Sequence, residues 1–314
     1  HYANFKADML ITCKDVWVFN YLYNHAINFC PMVPVDHSPV SAMITMRLHT
    51  AFKVISISRH GQRELRRAGI ESYYIPHSIP TDIYRPLERR DLCRKSFFLE
   101  YFPDHFVVGI VALNRMSKMI PHMLRGFKRF LECNPDVKST LMLWTEVIPT
   151  RPSSEEEEVQ VPGISDVRIN LLPEIMQLGL NQVVHWPEAK LVIQGIPEWA
   201  GENYESWDMV KLYNCFDVLL HCTGGEGFGL PLYEAQSVGC PVITTDYAAA
   251  PEGVGAGLTV PQQDYIVANT PGTRYAIPSI DAMAEALTKI MNADREKLAK
   301  KARRFAERYD HNVI

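Results

Sequence analysis

The sequence has no apolar stretch approaching the roughly 20 residues that span a bilayer, and its longest clean run is Phe106 to Leu113. A spanning helix is therefore not expected, and no secretory signal is visible. No C-x-x-C pair occurs among Cys13, Cys30, Cys93, Cys133, Cys215, Cys222 and Cys240. Several of these cysteines sit in apolar runs, as buried free thiols do. That pattern argues against a disulfide scaffold and points to a reducing, cytoplasmic setting. No His/Cys cluster has ligand spacing and no D-x-D occurs, so no bound metal is implied. Basic charge is also short: 32 Lys and Arg face 36 Asp and Glu, for a formal net charge of −4. A nucleic-acid partner is not expected from that balance. Much of the acidic excess lies in one run, Glu155 to Glu158, which reads as a solvated loop.

With 314 residues, 47% hydrophobic and 22% charged, the chain is that of a soluble globular protein large enough for two domains. Strand and helix patterns alternate, as in an α/β protein with mainly parallel sheets covered on both faces. Met9–Thr12, Met32–Val35, Lys53–Ile57 and Tyr73–Ile75 read as strands. Ser58 is placed to cap a helix that runs through Arg67 and stops at Gly69. A proline-bearing stretch from Pro76 to Pro86, followed by the charged patch Glu88 to Asp91, is the candidate hinge.

Beyond the hinge, Val107–Leu113, Thr140–Trp144, Leu191–Gln194, Val218–His221 and Val242–Thr245 read as strands. Met123, Leu124, Phe127, Phe130 and Leu131 repeat at the helical period, and Leu171–Leu178 and Val210–Cys215 also read as helical. The tail from Ile280 to Arg308 is rich in helix formers. The expected division is 1–87, 88–279 and a helical tail, 280–314. A nucleotide-type domain normally has about five strands or more, and residues 1–76 supply about four. The first domain is therefore expected to be incomplete.

The strongest local signal is Phe216 to Asp246, read as strand, glycine loop, helix and strand. Gly224, Gly225, Gly227 and Gly229 let the backbone approach a ligand closely. Pro231 falls in the first helical turn, where its missing N–H does no harm. The free amides of that turn form an anion site suited to a pyrophosphate. The third glycine of a G-x-G-x-x-G is replaced by Leu230, and the G-K-[ST] of a P-loop is missing. Glu226 and Glu234 flank the loop with seven residues between them. A carboxylate repels a pyrophosphate but accepts hydrogen bonds from sugar hydroxyls. The plainer reading makes Glu234 a complement to the helix dipole and Glu226 a loop charge.

The segment EGFGLPLYE, Glu226 to Glu234, resembles the E-x7-E region of retaining glycosyltransferases of family 4. Tyr213, Asn214, Asp217, Gly239, Pro241, Thr244, Asp246 and Glu252 fit the same pattern, and IPHSIPTDIYRP, Ile75 to Pro86, looks like the family's interdomain stretch with Ser78 in place of glycine. The resemblance implies the GT-B fold of two facing Rossmann-like domains. It also implies metal-independent transfer from a UDP- or GDP-linked sugar to a saccharide, lipid or other hydroxyl acceptor. No other cofactor is implied, and peripheral membrane association is not visible in the sequence.

By that resemblance Glu234 holds the ribose, Glu226 contacts the transferred sugar, and Gly225, Gly227, Phe228, Gly229 and Leu230 line the donor. A basic pair is also implied on the pyrophosphate. Lys118 fits the lysine, whereas the arginine position holds Leu113 or Ala112, leaving Arg115 as a substitute at the wrong spacing. His37, after the second strand, stands where the family has a sugar-contacting His or Asp. The alternative for Asp36-His37 is a capping turn beside an exposed histidine. Other functions left open are a non-catalytic sugar-nucleotide binder and a GT-B epimerase or phosphorylase.

Overall fold

The computed structural model describes residues 6–19, 28–97, 99, 102–149, 168–187, 205–267 and 273–314. The first unit contains strands β1 (Leu10–Cys13), β2 (Phe29–Val33), β3 (Ile55–Ser56) and β4 (Tyr73–Tyr74). They lie in sequence order, each parallel to the next. Strand β2 begins three residues before the sequence reading placed it. Pro31 discourages a strand assignment because it lacks an N–H, yet it pairs in register with Thr12 of β1. Helices α1 (Ala42–Leu48) and α2 (Arg59–Arg67) follow β2 and β3. The Ser58 hydroxyl accepts from Gly61 N at 3.0 Å and caps α2. Gly69 takes φ +79° just beyond the helix end, a conformation that costs glycine little.

The second unit opens with α3 (Arg90–Ser96) and holds six parallel strands: β5 (Phe106–Val111), β6 (Ser139–Trp144), β7 (Val184–His185), β8 (Val218–His221), β9 (Val242–Thr245) and β10 (Gly257–Val260). Their spatial order is β10-β9-β8-β5-β6-β7. Helix α4 (Ile120–Cys133) covers one face, packed against α8 (Ile280–Met291). Helices α5 (Leu172–Gln177), α6 (Glu205–Cys215), α7 (Leu230–Ser237) and α9 (Arg295–Ala306) complete the unit. Met123, Phe127, Met283 and Leu287 lie in the core on one side, and Tyr213, Phe216, Leu232 and Phe305 in that on the other. Burial on both faces is why these strands read as continuous apolar runs. Phe127 and Phe130 are fully buried, and each such side chain stabilises the fold by roughly 1.5–3 kcal/mol.

Strands β5 and β8 are neighbours although more than 100 residues of sequence separate them. The connections run outward in opposite directions from this pair, so their carboxyl ends flank the switch point where ligands bind in open α/β sheets.

The crossing between units is fastened from the C-terminal end of the chain. Ile79 N donates to Tyr309 O at 2.8 Å. Arg303 Nη1 donates to the carbonyl oxygens of Thr81, Tyr84 and Ser237 at 2.8–2.9 Å. Asp217 is held by Arg90, Arg94 and Arg295 at 2.9–3.1 Å and accepts from Val107 N at 2.7 Å. The patch read as part of the hinge thus runs into helix α3, whose arginines are ordered by a carboxylate far along the chain.

The helical tail is two helices, with Asp294 Oδ1 accepting from Lys297 N at 3.0 Å to start the second. A hairpin of β11 (Gln262–Val267) and β12 (Arg274–Pro278) was not anticipated. The strand read at Leu191–Gln194 and the Glu155–Glu158 run lie outside the described residues. All seven cysteines are free thiols, and only Cys13 and Cys133 are exposed. Among the described residues, no helix is long and apolar enough to cross a membrane.

Candidate active site

Two loops meet at the switch point. The first leaves β5 and passes through the 3-10 turn Met116–Lys118. The second leaves β8, carries the glycines and enters α7. Gly224 N donates to Ser117 O at 2.8 Å, which ties the loops together. Gly224 O accepts from Ala276 N of the hairpin at 2.8 Å, and Glu226 O accepts from Ala249 N at 3.1 Å. The glycine loop is therefore anchored at several points.

Two of its glycines are required by what they touch. A Cβ at Gly225 would overlap the carbonyl oxygen of Asp36 in the first unit. Gly229 takes φ +86° at the N-cap of α7, a region in which other side chains are strained. Phe228 is buried and stacks on Tyr233, with ring centroids 4.3 Å apart. Its side chain therefore faces the core, leaving the backbone for a ligand. The amides of Gly227, Phe228, Gly229 and Leu230 donate to no acceptor among the described residues. Those of Gly229 and Leu230 are orphan donors of the helix start, at the positive end of its dipole, and those of Gly227 and Phe228 lie in the loop just before it.

The two carboxylates occupy different environments. Glu226 Oε1 accepts from Lys118 Nζ at 2.7 Å and lies 3.0 Å from His221 Nε2. Burial opposes its charge, but Lys118 and His221 together outweigh burial and hold the carboxyl well below the usual carboxylate range. Glu234 Oε2 accepts from the Tyr213 hydroxyl at 2.6 Å. Burial pushes the Glu234 carboxyl upward against that hydrogen bond. The fully buried Tyr213 hydroxyl is raised well above its ordinary value, by burial first and by Glu234 second.

His37 is buried rather than exposed. Its Nε2 accepts from Ser41 N at 3.1 Å, so Nδ1 carries the proton toward Asp36 Oδ1 at 2.6 Å. Both ring nitrogens are engaged within their own turn, and the His37 carbonyl lies 3.0 Å from His60 Nε2. The turn is nevertheless at the site, because Asp36 O abuts Gly225 and Pro34 abuts Gly227. Lys118 stands beside Glu226, whereas Arg115 is exposed and its charge acts on Asp15 of the first unit.

Asp15 and His221 were not picked out by the sequence reading. Burial and then Asp36 raise Asp15 to about 6, against the opposing pull of Arg115 and His37. His221 ends β8, and its buried Nδ1 has no hydrogen-bond partner among the described residues. A histidine ending an apolar strand was the available signal for His221. Nothing local marked Asp15. One three-residue group with metal-ligand proximity, Asp82, Asp310 and His311, is found among the described residues. It belongs to the chain crossing, where the Asp310 carboxylate already accepts from Thr81 and Asn312.

Known structures share this architecture. Sucrose-phosphate synthase from Thermosynechococcus elongatus aligns over 99% of this chain and 72% of its own, with TM-score 0.70 and 18% identity. Two facing α/β units with parallel sheets superpose together. The chain has the GT-B fold. Anabaena HepE, solved in complex with UDP and glucose, aligns over 90% of this chain and 68% of its own, at TM-score 0.61 and 19% identity. WaaG, a glycosyltransferase involved in lipopolysaccharide biosynthesis, aligns over 98% and 75%, at TM-score 0.64 and 14% identity. Residues 198–308 match the family model described as glycosyl transferases group 1. No curated protein matches the chain.

Proposed function

We propose that this protein transfers a sugar from a UDP- or GDP-linked donor to an acceptor hydroxyl, with retention at the anomeric carbon. The observation that carries the reading is the glycine loop at the switch point, with amides that are unpaired among the described residues between two carboxylates of unlike environment. The match over residues 198–308 supports transferase chemistry in the same segment. The solved complex of HepE with UDP and glucose, a protein sharing the fold, supports a nucleotide-sugar donor.

On this reading the donor pyrophosphate lies on the amides of Gly227 to Leu230, and Lys118 turns from Glu226 to a phosphate oxygen. Glu226, so released, accepts from hydroxyls of the transferred sugar, and Glu234 accepts from the ribose. Arg115 adds positive charge at the mouth of the site. His37 acts through the turn it braces, which sets Asp36 against Gly225. The bond from the anomeric carbon to the phosphate oxygen breaks as the acceptor oxygen bonds to the same face. The acceptor proton passes to the departing phosphate oxygen. Charge on the leaving diphosphate is met by Lys118 and the loop amides, without a metal.

The test is turnover of UDP- and GDP-sugars with and without added acceptors and EDTA, with anomeric configuration read by NMR. Nucleotide release that is identical in wild type and Glu226→Ala would remove the proposal. Inversion at the anomeric carbon would overturn its stereochemical part.

A further inference from the structure

Away from the glycine loop, the two units face each other across a cleft of about 570 Å³. Its lining includes Arg59 and Arg63 of α2, Tyr74 of β4, Glu252, Arg308 and Tyr309. Three guanidinium groups meet one carboxylate there. Glu252 is already engaged, because its oxygens accept from Arg59 N at 2.8 Å and His60 N at 2.6 Å. A longer contact of 3.4 Å joins it to Arg63. Two positive charges are left over from the three cations.

Two of the cations are oriented by aromatic faces. The Arg59 guanidinium lies 3.8 Å from the centroid of the Tyr74 ring, and that of Arg308 lies 4.8 Å from Phe305. Neither side chain contacts a carboxylate among the described residues. Tyr74 and Tyr309 line the same cleft, one from each unit. Guanidinium forks match the oxygens of a phosphate better than a point charge does, and tyrosine rings give a small sugar ring an apolar wall with polar edges.

We propose that this cleft is a second anion site, which takes a phosphate monoester of a sugar or similar polyol. The site is built from both units, so its ligand ties α2 to the C-terminal turn. It needs no donor in the glycine loop and stands or falls independently of the transferase reading.

The experiment is calorimetry on the full chain with glucose 6-phosphate, inorganic phosphate and uncharged glucose. It is repeated on Arg308→Ala, on the Arg63→Ala/Arg308→Ala double variant, and on Lys118→Ala to report any binding at the glycine loop. The expected result is that glucose 6-phosphate binds more tightly than phosphate and that glucose gives no signal. Affinity should fall about tenfold in Arg308→Ala, the loss of one charge-assisted hydrogen bond. It should fall further in the double variant and stay unchanged in Lys118→Ala. Unchanged melting curves of the unliganded variants would show that the fold is kept. Equal affinity in wild type and the double variant, or loss confined to Lys118→Ala, would overturn the proposal. Equal binding of phosphate and its ester would overturn the polyol assignment.

Discussion

Lys118 Nζ lies 2.7 Å from Glu226 Oε1, so the cation after β5 and the carboxylate after β8 neutralise each other across the switch point. Each charge has the other as its partner, which matters most for the buried Glu226.

That pairing predicts unequal effects of removing its members. Lys118→Ala should lower turnover about 10²–10³-fold, the usual cost of losing one group that stabilises a leaving charge. Glu226→Gln should lower turnover while leaving affinity for the free nucleoside diphosphate nearly unchanged, because the diphosphate lacks the sugar. Steady-state rates beside calorimetry with UDP and GDP separate the two effects. Loss of UDP and GDP binding in a folded Glu226→Gln protein would contradict the assignment.

Glu234 should behave in the opposite way. Glu234→Ala removes the proposed ribose acceptor and strands the buried Tyr213 hydroxyl, at a cost of about 1–3 kcal/mol in stability. Glu234→Gln keeps an oxygen for Tyr213 and should restore most of the melting temperature. Nucleotide affinity should recover only in part, since a neutral amide accepts more weakly than a carboxylate.

Asp15 predicts a pH dependence of folding. Its folded pKa of about 6 lies above the ordinary 3.8. Between those values the folded chain binds more protons than the unfolded chain, so this group's contribution to stability falls as pH rises through that window. Asp15→Asn should therefore be stabilising at pH 7 by an amount on the order of 2 kcal/mol, and nearly neutral at pH 4. Denaturant midpoints of both proteins at the two pH values measure this. An equal shift at both would show that burial of Asp15 is not what raises it.

Asp217→Asn should destabilise the second unit by about 3–5 kcal/mol, because it leaves Arg90, Arg94 and Arg295 around a neutral group. Urea unfolding provides the measurement, and a change below about 1 kcal/mol, the range of a surface pair, would refute a structural role.

Local pattern carried much of the second unit. Strands β5, β6, β8 and β9 announce themselves as apolar runs because both faces are covered, and α7 through its glycines, proline and flanking acids. What stayed hidden depends on partners remote in sequence. Lys118 meets Glu226 108 residues away, and α3 is ordered by Asp217 123 residues beyond Arg94. His37 is a candidate sugar contact or an exposed histidine beside a capping turn on sequence alone; its ring is buried, with Asp36 and Ser41 N on its two nitrogens, so the exposed alternative does not hold. Helix α1 and the hairpin were missed because each is short and its register is set by packing rather than by a strong repeat.

The Phe228–Tyr233 stack has a thermodynamic consequence for whatever binds the loop. With that ring locked into the core, the neighbouring amides reach their working positions when the chain folds, before any ligand arrives. The entropy of ordering them is thus charged to folding and not to association. Substituting Phe228 should accordingly show first in the entropy and the dissociation rate of a bound nucleotide, while the contacts themselves stay the same.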